Sequence, residues 1–247
     1  MGIREFSDEF EVLVHSYATR LPFGADTSFV NLAFDEYEKS VFLTHAQKDL
    51  ALRLYTGKNP SGESFEETEE VRRYLSPLVA EAELQPTVGQ SGKPIGISGD
   101  KNTRFFTLPE DLWFITYEGL VLSKGKCESH KTMQVVPVTQ DEYHKIRKNP
   151  FRGSNDRRAL RLDLADGVVE IVCKYEIDTY YVRYLKKLSP IVLVDLSEEN
   201  SIDGVSEVMG CSLHEGLHQQ ILERAVEMAV RSRVGSVNGK VTDRSNH

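Results

Sequence analysis

Cysteine is scarce in this sequence. There are three cysteines, Cys127, Cys173 and Cys211, and none of them forms a C-x-x-C pair. An odd number of widely spaced cysteines does not build a disulfide framework, and such a set suits a reducing compartment. The sequence therefore argues against a small secreted protein held together by disulfides, and we expect the chain to be made in a cytoplasm.

Long apolar runs and an excess of positive charge are also missing. No stretch approaches the roughly 20 apolar residues of a membrane-spanning helix. The acidic segment from Met1 to Glu9 lacks the apolar core of a signal peptide, so no membrane partner is expected. Because 30 basic residues face 38 acidic ones, the net charge is −8. The chain as a whole is therefore not expected to coat nucleic acid.

What the sequence does contain is typical of a globular protein with one large domain or two small ones. Of its 247 residues, 40% are hydrophobic and 28% are charged. The first third favours helices, because Phe6, Phe10 and Val14 recur at helical spacing. Thr44–Gln47 matches a capping box that would open a helix ending near Gly57, and Ser64-Phe-Glu-Glu67 matches a second box.

The middle of the chain favours strands. Runs rich in β-branched and aromatic residues predict strands at 112–117, 134–138, 159–164, 168–172, 180–185 and 191–194. Asp166-Gly167 is typical of a tight hairpin turn between two of them. The box Thr139-Gln-Asp-Glu142 predicts one short helix among the strands.

We therefore predict an α+β fold, with helical N-terminal and C-terminal segments around a central antiparallel β-sheet or sandwich region. The predicted regions are a helical N-terminal region (1–84), an extended loop (85–104), a β-rich region with one short helix (105–195), a C-terminal helix region (196–234) and a polar tail (235–247). The loop and the tail have too little apolar content to fold alone, so we expect a partner to order them.

One motif resembles an enzyme site. His214-Glu215-Gly216-Leu217-His218 matches H-E-x-x-H, in which two histidines one helical turn apart hold zinc and the glutamate activates water. However, Ser212 and Glu215 form a capping box that would place the histidines in the first turn of a helix. Gly216 also weakens any helical ligand platform. We interpret the motif as a helix start and expect no catalytic residue, metal or cofactor; a zinc-dependent hydrolase is the remote alternative.

A basic segment stands out in the acidic chain. Between residues 145 and 161 seven basic residues face a single acid, Asp156. They are Lys145, Arg147, Lys148, Arg152, Arg157, Arg158 and Arg161. Such a local reversal of charge predicts contact with phosphate or with an acidic partner surface, and a solvated loop, or salt bridges to the surplus acids elsewhere in the chain, explains it equally well.

Several stretches resemble virion structural proteins of crAss-like phages of gut bacteria. They are Phe34–Gln47, Asn149–Gly153, Tyr180–Lys187 with Pro190-Ile191, and Leu217–Ala229, and together they sample most of the chain from about residue 5 to 230. The order of early helices, a strand-rich middle and a final helix is also similar to head-to-tail adaptor proteins of short-tailed phages.

The resemblance implies a non-enzymatic subunit of a head-to-tail connector, made in the host cytoplasm and incorporated into the virion. Its expected partners are other copies of itself in a ring of twelve, the portal protein and neighbouring neck or tail ring proteins. Packaged DNA would pass through the ring, with non-specific contacts possible at the basic segment. Another tail or internal virion protein is the alternative.

Overall fold

The chain forms two compact units, which we call the helical unit and the sheet unit. The computed structural model describes residues 1–18, 33–59, 62–87, 103–123, 132–196 and 200–244, with side chains of the last helix as far as Arg233. The helical unit comprises Met1–Leu78 and Leu188–His247, and the sheet unit comprises Val79–Lys187. Residues 88–102 of the predicted loop, Cys127 and the end of the predicted tail from residue 245 lie outside the described residues.

The fold is α+β, as predicted, with helices towards both ends of the chain. Its helices are α1 (Ile3–Ala18), α2 (Glu36–Thr56), α3 (Glu69–Leu75), α4 (Gln140–Ile146) and α5 (His218–Arg244). Its strands are β1 (Val79–Leu84), β2 (Thr103–Thr107), β3 (Leu112–Leu122), β4 (Thr132–Pro137), β5 (Arg158–Asp163), β6 (Val168–Val172) and β7 (Ile177–Lys186). No helix among the described residues is long and apolar enough to cross a membrane.

Helix α2 starts earlier than its sequence pattern predicts. Its N-cap is Asp35, whose carboxylate accepts the backbone N–H of Glu38 at 2.7 Å while the Glu38 carboxylate accepts from Asp35. The capping box predicted at Thr44 is therefore wrong, because Thr44 lies in the middle of the helix. The predicted end is confirmed, since Gly57 caps α2 at φ 73°, a conformation that favours glycine.

The polar residues in the middle of α2 hold another part of the chain. Ser40, Thr44 and Gln47 are buried and share one face of the helix. Ser40 Oγ accepts the backbone N–H of Leu193 at 3.0 Å. Thr44 Oγ1 accepts the N–H of Ile191 at 3.0 Å and donates to its carbonyl at 3.2 Å. These side chains therefore pair with an extended segment that would otherwise need a strand partner.

Three further segments differ from the predictions. Val79–Leu84, expected in the helical N-terminal region, forms strand β1. Ile191–Val194, expected as a strand, forms no strand of the sheet; a single antiparallel bridge joins Val192 to Met209. Helix α5 continues to Arg244, through most of the segment predicted as a polar tail.

The sheet unit is one curled, seven-stranded sheet in the order β1-β7-β3-β4-β5-β6-β2. All neighbouring pairs are antiparallel except β4 and β5, which are parallel and are joined through α4. The two edge strands approach each other where the N–H of Thr87, just after β1, donates to the carbonyl of Phe105 in β2 at 2.8 Å. Curling lets the inner face enclose a core that includes Phe106, Leu120 and Val182.

The predicted hairpin between β5 and β6 is confirmed. Asp166 and Gly167 both have positive φ, 58° and 70°, and the N–H of Val168 donates to the carbonyl of Ala165 at 3.1 Å. Two successive residues with positive φ define the turn type whose twist matches that of the flanking strands. The turn fixes the register of β5, the strand that carries two of the predicted site residues, Arg158 and Arg161.

Candidate assembly surface

The basic segment begins on α4 and ends on β5. Thr139 caps helix α4, as predicted. Its hydroxyl accepts a hydrogen bond from the backbone N–H of Glu142 at 3.3 Å. The exposed side chains are Lys145, Arg147, Lys148, Arg152 and Arg157; Arg158 is half-buried and Arg161 is buried. The segment therefore presents a positively charged surface made of six of its seven basic residues.

The one acid in the segment does little to reduce this charge. The Asp156 carboxylate lies 3.7 Å from Lys174 Nζ and accepts from the Tyr175 hydroxyl at 3.0 Å. On the other side, Arg152 lies 3.5 Å from the Glu142 carboxylate at the exposed surface, where an ion pair contributes little. The surface charge of this region thus remains positive.

A short loop on this surface, residues 149–155, is held by its own hydrogen bonds. Asn149 Oδ1 accepts the backbone N–H groups of Phe151 and Arg152 at 2.9 and 3.1 Å. The N–H of Gly153 donates to the Asn149 carbonyl at 2.8 Å. A Cβ on Gly153 would lie 2.7 Å from that oxygen and 2.9 Å from the carbonyl oxygen of Ile146, so a side chain would displace the backbone. We call this segment the Phe151 loop.

Arg161 is not part of the surface. It lies inside the curled sheet, where its guanidinium forms a short ion pair with Glu118 of β3 and a 2.9 Å pair with Asp163. The Tyr180 hydroxyl donates to the other Glu118 oxygen at 2.6 Å. Burial raises the pKa of Glu118, and Arg161 and Tyr180 oppose that rise. Burial likewise raises the pKa of Tyr180. This buried network makes Arg161 a structural residue.

The helical unit carries a cleft of about 550 Å³ between its helices. Its apolar lining includes Leu50 and Leu54 of α2, Val71 and Tyr74 of α3, and Leu217. A cleft of this size, with an apolar floor and polar rim, is typical of binding sites. It is larger than the pocket of about 330 Å³ in the sheet unit that Pro137–Gln140, Glu142 and Asp163 line.

The two histidines of the H-E-x-x-H motif do not share a helix. His214 has φ −58° and ψ 141° and caps a 3₁₀ turn at Glu215–Leu217, whereas His218 begins α5. His214 Nδ1 accepts the N–H of Gly216 at 3.1 Å, so the lone pair of that nitrogen is already engaged. The predicted capping box from Ser212 is wrong, because His214 is the cap. Among the described residues no three His, Cys, Asp or Glu side chains are placed to hold a metal ion.

His218 instead contributes to packing. Its ring lies 5.2 Å from that of Phe6 in α1, and its Nδ1 lies 2.9 Å from the amino nitrogen of Met1. Burial lowers the pKa of His218, and the positive amino terminus adds to this. The folded chain therefore resists the proton that the unfolded chain accepts. The contribution of His218 to stability is present above the unfolded value of about 6.5 and is lost as pH falls from there towards the lower pKa of the folded chain.

We expect His218→Ala to lower the free energy of unfolding by about 1–3 kcal/mol at neutral pH, because it removes a buried ring. The loss should shrink in acid, since the variant no longer carries the group that resists protonation. Urea unfolding at neutral and mildly acidic pH measures both effects. His45→Ala, at an exposed position on α2, is the control and should change neither. A stoichiometric zinc ion with peptide hydrolysis lost on Glu215→Gln would contradict this interpretation of the motif.

Two structural features, the exposed Phe151 side chain and the cleft of the helical unit, are not evident from the sequence. The charge of the basic segment is visible in the sequence, but the projection of Phe151 from it is not. A lone aromatic among Asn, Pro, Arg and Gly, with no apolar neighbour at helical or strand spacing, is the signal that could have identified it. The cleft has no comparable signal, because its lining comes from four separate parts of the chain.

Comparison with known proteins assigns the fold to a class of phage structural proteins. Residues 1–240 match the family model described as phage tail ring protein 3/4, so the chain belongs to this family. It is similar to "Ring protein 3" of Bacteroides phage crAss001, with 42% identity over 243 residues that cover 97% of this chain and 100% of the relative. It is also similar to "Ring protein 4/5" of the same phage, with 29% identity covering 98% and 97% of the two chains. The chain is a ring structural protein of a phage, and hence a virion component.

Proposed function

We propose that this protein is a non-enzymatic subunit of a ring in the head-to-tail connector, between portal and tail, through which the genomic DNA passes. The observation that carries the proposal is its full-length similarity to two differently named ring proteins of one phage. Two related chains that form separate rings in one particle would give rings of similar size and shape, and such rings can stack on one another. We therefore propose that the protein assembles with itself and that its ring stacks on neighbouring ring proteins and the portal.

A closed ring requires two unlike surfaces on each subunit. Identical subunits that meet head to tail bury different patches, and the contact closes into a ring when the rotation between neighbours divides the circle evenly. We propose twelve copies, because a ring that matches a twelvefold portal lets every subunit make the same contacts. The positively charged surface on α4 and the Phe151 loop is our proposed contact region; phosphate and carboxylate partners both fit its charge.

Imaging the intact particle by electron cryomicroscopy tests this proposal. The expected result is a twelvefold ring of this chain between portal and tail, with DNA density on its axis. Native mass spectrometry of the purified protein should show one closed oligomer with the same copy number. Location of the chain at the tail tip or inside the capsid would contradict the connector role, and a different copy number would contradict the match to the portal.

A further inference from the structure

The Phe151 side chain is more exposed than any other large hydrophobic side chain that the structure describes. It is 84% accessible, whereas Val12 and Tyr117 follow at 67% and 55%. Single exposed apolar residues are common on proteins and by themselves indicate no function. Phe151 differs because its loop is fixed by the Asn149 and Gly153 contacts described above.

A fixed loop that presents an aromatic ring to solvent is suited to binding. An aromatic side chain has few rotatable bonds, so little conformational entropy is lost when it enters a pocket. Residues of this kind, with arginine beside them, dominate the energetics of protein interfaces. Arg152 follows Phe151 directly, and Arg147 and Lys148 lie on the exposed surface just before the loop. The loop therefore offers one apolar anchor with exposed positive charges next to it in the sequence.

The cleft of the helical unit has the complementary composition. Leu50 and Tyr74 are half-buried at its wall, with an apolar surface still accessible. Five carboxylates and two guanidinium groups line it. The carboxylates are those of Asp49, Glu63, Glu70, Glu223 and Glu227, and the guanidinium groups are those of Arg53 and Arg224. The cleft therefore offers an apolar floor within an acidic rim.

The two guanidinium groups do not cancel the acidic rim. Arg53 and Arg224 both lie 3.0 Å from the Asp49 carboxylate, and Arg224 also lies 2.7 Å from Glu227. Three rim carboxylates remain, on Glu63, Glu70 and Glu223, and within the described part of the chain none of the three forms an ion pair with a lysine or arginine. Glu70 accepts a hydrogen bond from the Tyr74 hydroxyl at 2.7 Å and Glu223 accepts one from the Gln219 amide at 3.1 Å. These neutral donors leave the negative charge of the carboxylates in place, so they can face positive charge from another molecule.

We propose that the Phe151 loop of one subunit docks into this cleft on the next copy of the same chain. The ring of Phe151 contacts the apolar floor, and the basic residues around it face the acidic rim. This inference rests on the proposed ring function and deepens it by naming both halves of the contact between subunits. Because the two halves are different surfaces, the contact is head to tail, as ring closure requires.

A protein partner fits the loop better than DNA does. A duplex sliding through a channel is held by phosphate contacts that carry no sequence information, and a protruding aromatic ring adds nothing to them. The same aromatic ring contributes to the free energy of binding when it enters an apolar cleft, because its apolar surface is removed from water. The positive charge of the loop fits both DNA and an acidic protein surface. The exposed ring of Phe151 favours the protein partner.

Association of purified variants tests the docking directly. Analytical ultracentrifugation should show that Phe151→Ala weakens association between subunits about thirtyfold, as expected for loss of an interface hot spot. Tyr117→Ala, another exposed aromatic in the sheet unit, is the control and should assemble as wild type does. Assembly of Phe151→Ala with wild-type affinity would overturn the proposal while leaving a ring function intact.

A mixing experiment distinguishes the two halves of the contact. The double variant Glu70→Lys/Glu223→Lys keeps its loop but reverses the charge at two of the three rim carboxylates that form no ion pair, whereas Phe151→Ala keeps its cleft. At a concentration above the wild-type dissociation constant and below that of Phe151→Ala, each variant alone should be monomeric, and an equimolar mixture should form a one-to-one dimer that grows no further. Rings in the mixture, or no dimer at all, would overturn the proposal. Glu70→Gln/Glu223→Gln is a milder second variant that should associate less tightly than wild type if charge reversal impairs folding.

Two other outcomes are also decisive. A wild-type chain that stays monomeric at its highest soluble concentration would contradict both the docking and the self-assembly of the ring. Normal assembly of Phe151→Ala, together with salt-dependent binding of duplex DNA that is lost on Arg152→Ala and Arg157→Ala, would assign the basic surface to DNA and exclude the docking. Of these outcomes, only failure of the wild-type chain to self-associate would also contradict the proposed ring function.

Discussion

Replacing Arg161 by alanine is expected to cost the protein about 3–5 kcal/mol of stability, because it leaves the buried carboxylate of Glu118 without its cation. Both side chains lie within the curled sheet, at 10% and 7% exposure. The Tyr180 hydroxyl still donates to Glu118 in the variant, but one hydrogen bond from an uncharged donor does not replace the positive charge of the guanidinium in a buried site. Equilibrium unfolding in urea measures the loss.

The cost of Arg161→Ala should depend on pH with a definite sign. Burial already raises the pKa of Glu118 in the presence of Arg161, and removing the guanidinium raises it further. Below the unfolded value of about 4.3 the carboxyl is neutral in both states, so burial carries no charge penalty. As pH rises above that value the unfolded chain ionises first and the variant loses stability. The difference from wild type is therefore smallest in acid and largest near neutrality.

Arg158 is the matched control for this prediction. It lies on the same strand, is half-buried and belongs to the positively charged surface instead of the sheet interior. Arg158→Ala should change stability by only about 0.5 kcal/mol and show little dependence on pH in the acidic range. Equal losses for the two variants, or a loss for Arg161→Ala that grows in acid, would contradict the buried network.

The sequence predicted the inner strands of the sheet better than its two edge strands, β1 and β2. Strands β3 to β7 and the hairpin at Asp166-Gly167 were predictable because their periodicity and turn residues act locally. Strand β1, Val79–Leu84, was missed because two of its six residues are glutamates and two are alanines, which favour helices. Pairing with β7 overrides that preference, and no local pattern reports a partner about 100 residues away.

The error at Thr44 has a different physical origin. A threonine followed three residues later by a glutamine matches a capping box, yet the same two side chains can also serve as hydrogen-bond partners for another segment. Asp35 and Glu38 form the actual box. Sequence spacing could not distinguish these two roles. The partners of Thr44 and Gln47 are backbone groups of residues 189–193, about 150 positions further along the chain.

The candidate site was predictable only in part. The basic segment is contiguous, so its charge could be read from the sequence, and six of its seven residues form the surface. Arg161 could not be separated from the others, because its burial depends on Glu118 and Tyr180 from two other strands. The acidic cleft was invisible because the residues that line it lie between positions 17 and 227.

Gln47 of α2 joins three parts of the helical unit. Its Nε2 donates to the carbonyl of Ser189 at 2.7 Å. Its Oε1 accepts from the Cys211 thiol at 3.0 Å and from the backbone N–H of Ser212 at 3.1 Å. The side chain is buried, so water does not compete for these bonds. Gln47 therefore fixes the two extended segments that precede α5.

We expect Gln47→Leu to destabilise the protein by about 3 kcal/mol, although leucine fills a similar volume. The substitution removes the buried partner of the Ser189 carbonyl and of the Ser212 N–H, which belong to half-buried residues, and each group left unsatisfied costs about 1–3 kcal/mol. Thermal and urea unfolding measure the loss. Lys48→Met, at the next and less buried position of the same helix, is the control; it removes only a surface pair with Asp203 and should cost less than about 1 kcal/mol. Native-state hydrogen exchange adds a local test, because protection of the Ser212 amide should fall more than protection of the β5 amides. A Gln47→Leu variant as stable as wild type would show that these polar contacts do not hold the 189–193 segment against α2.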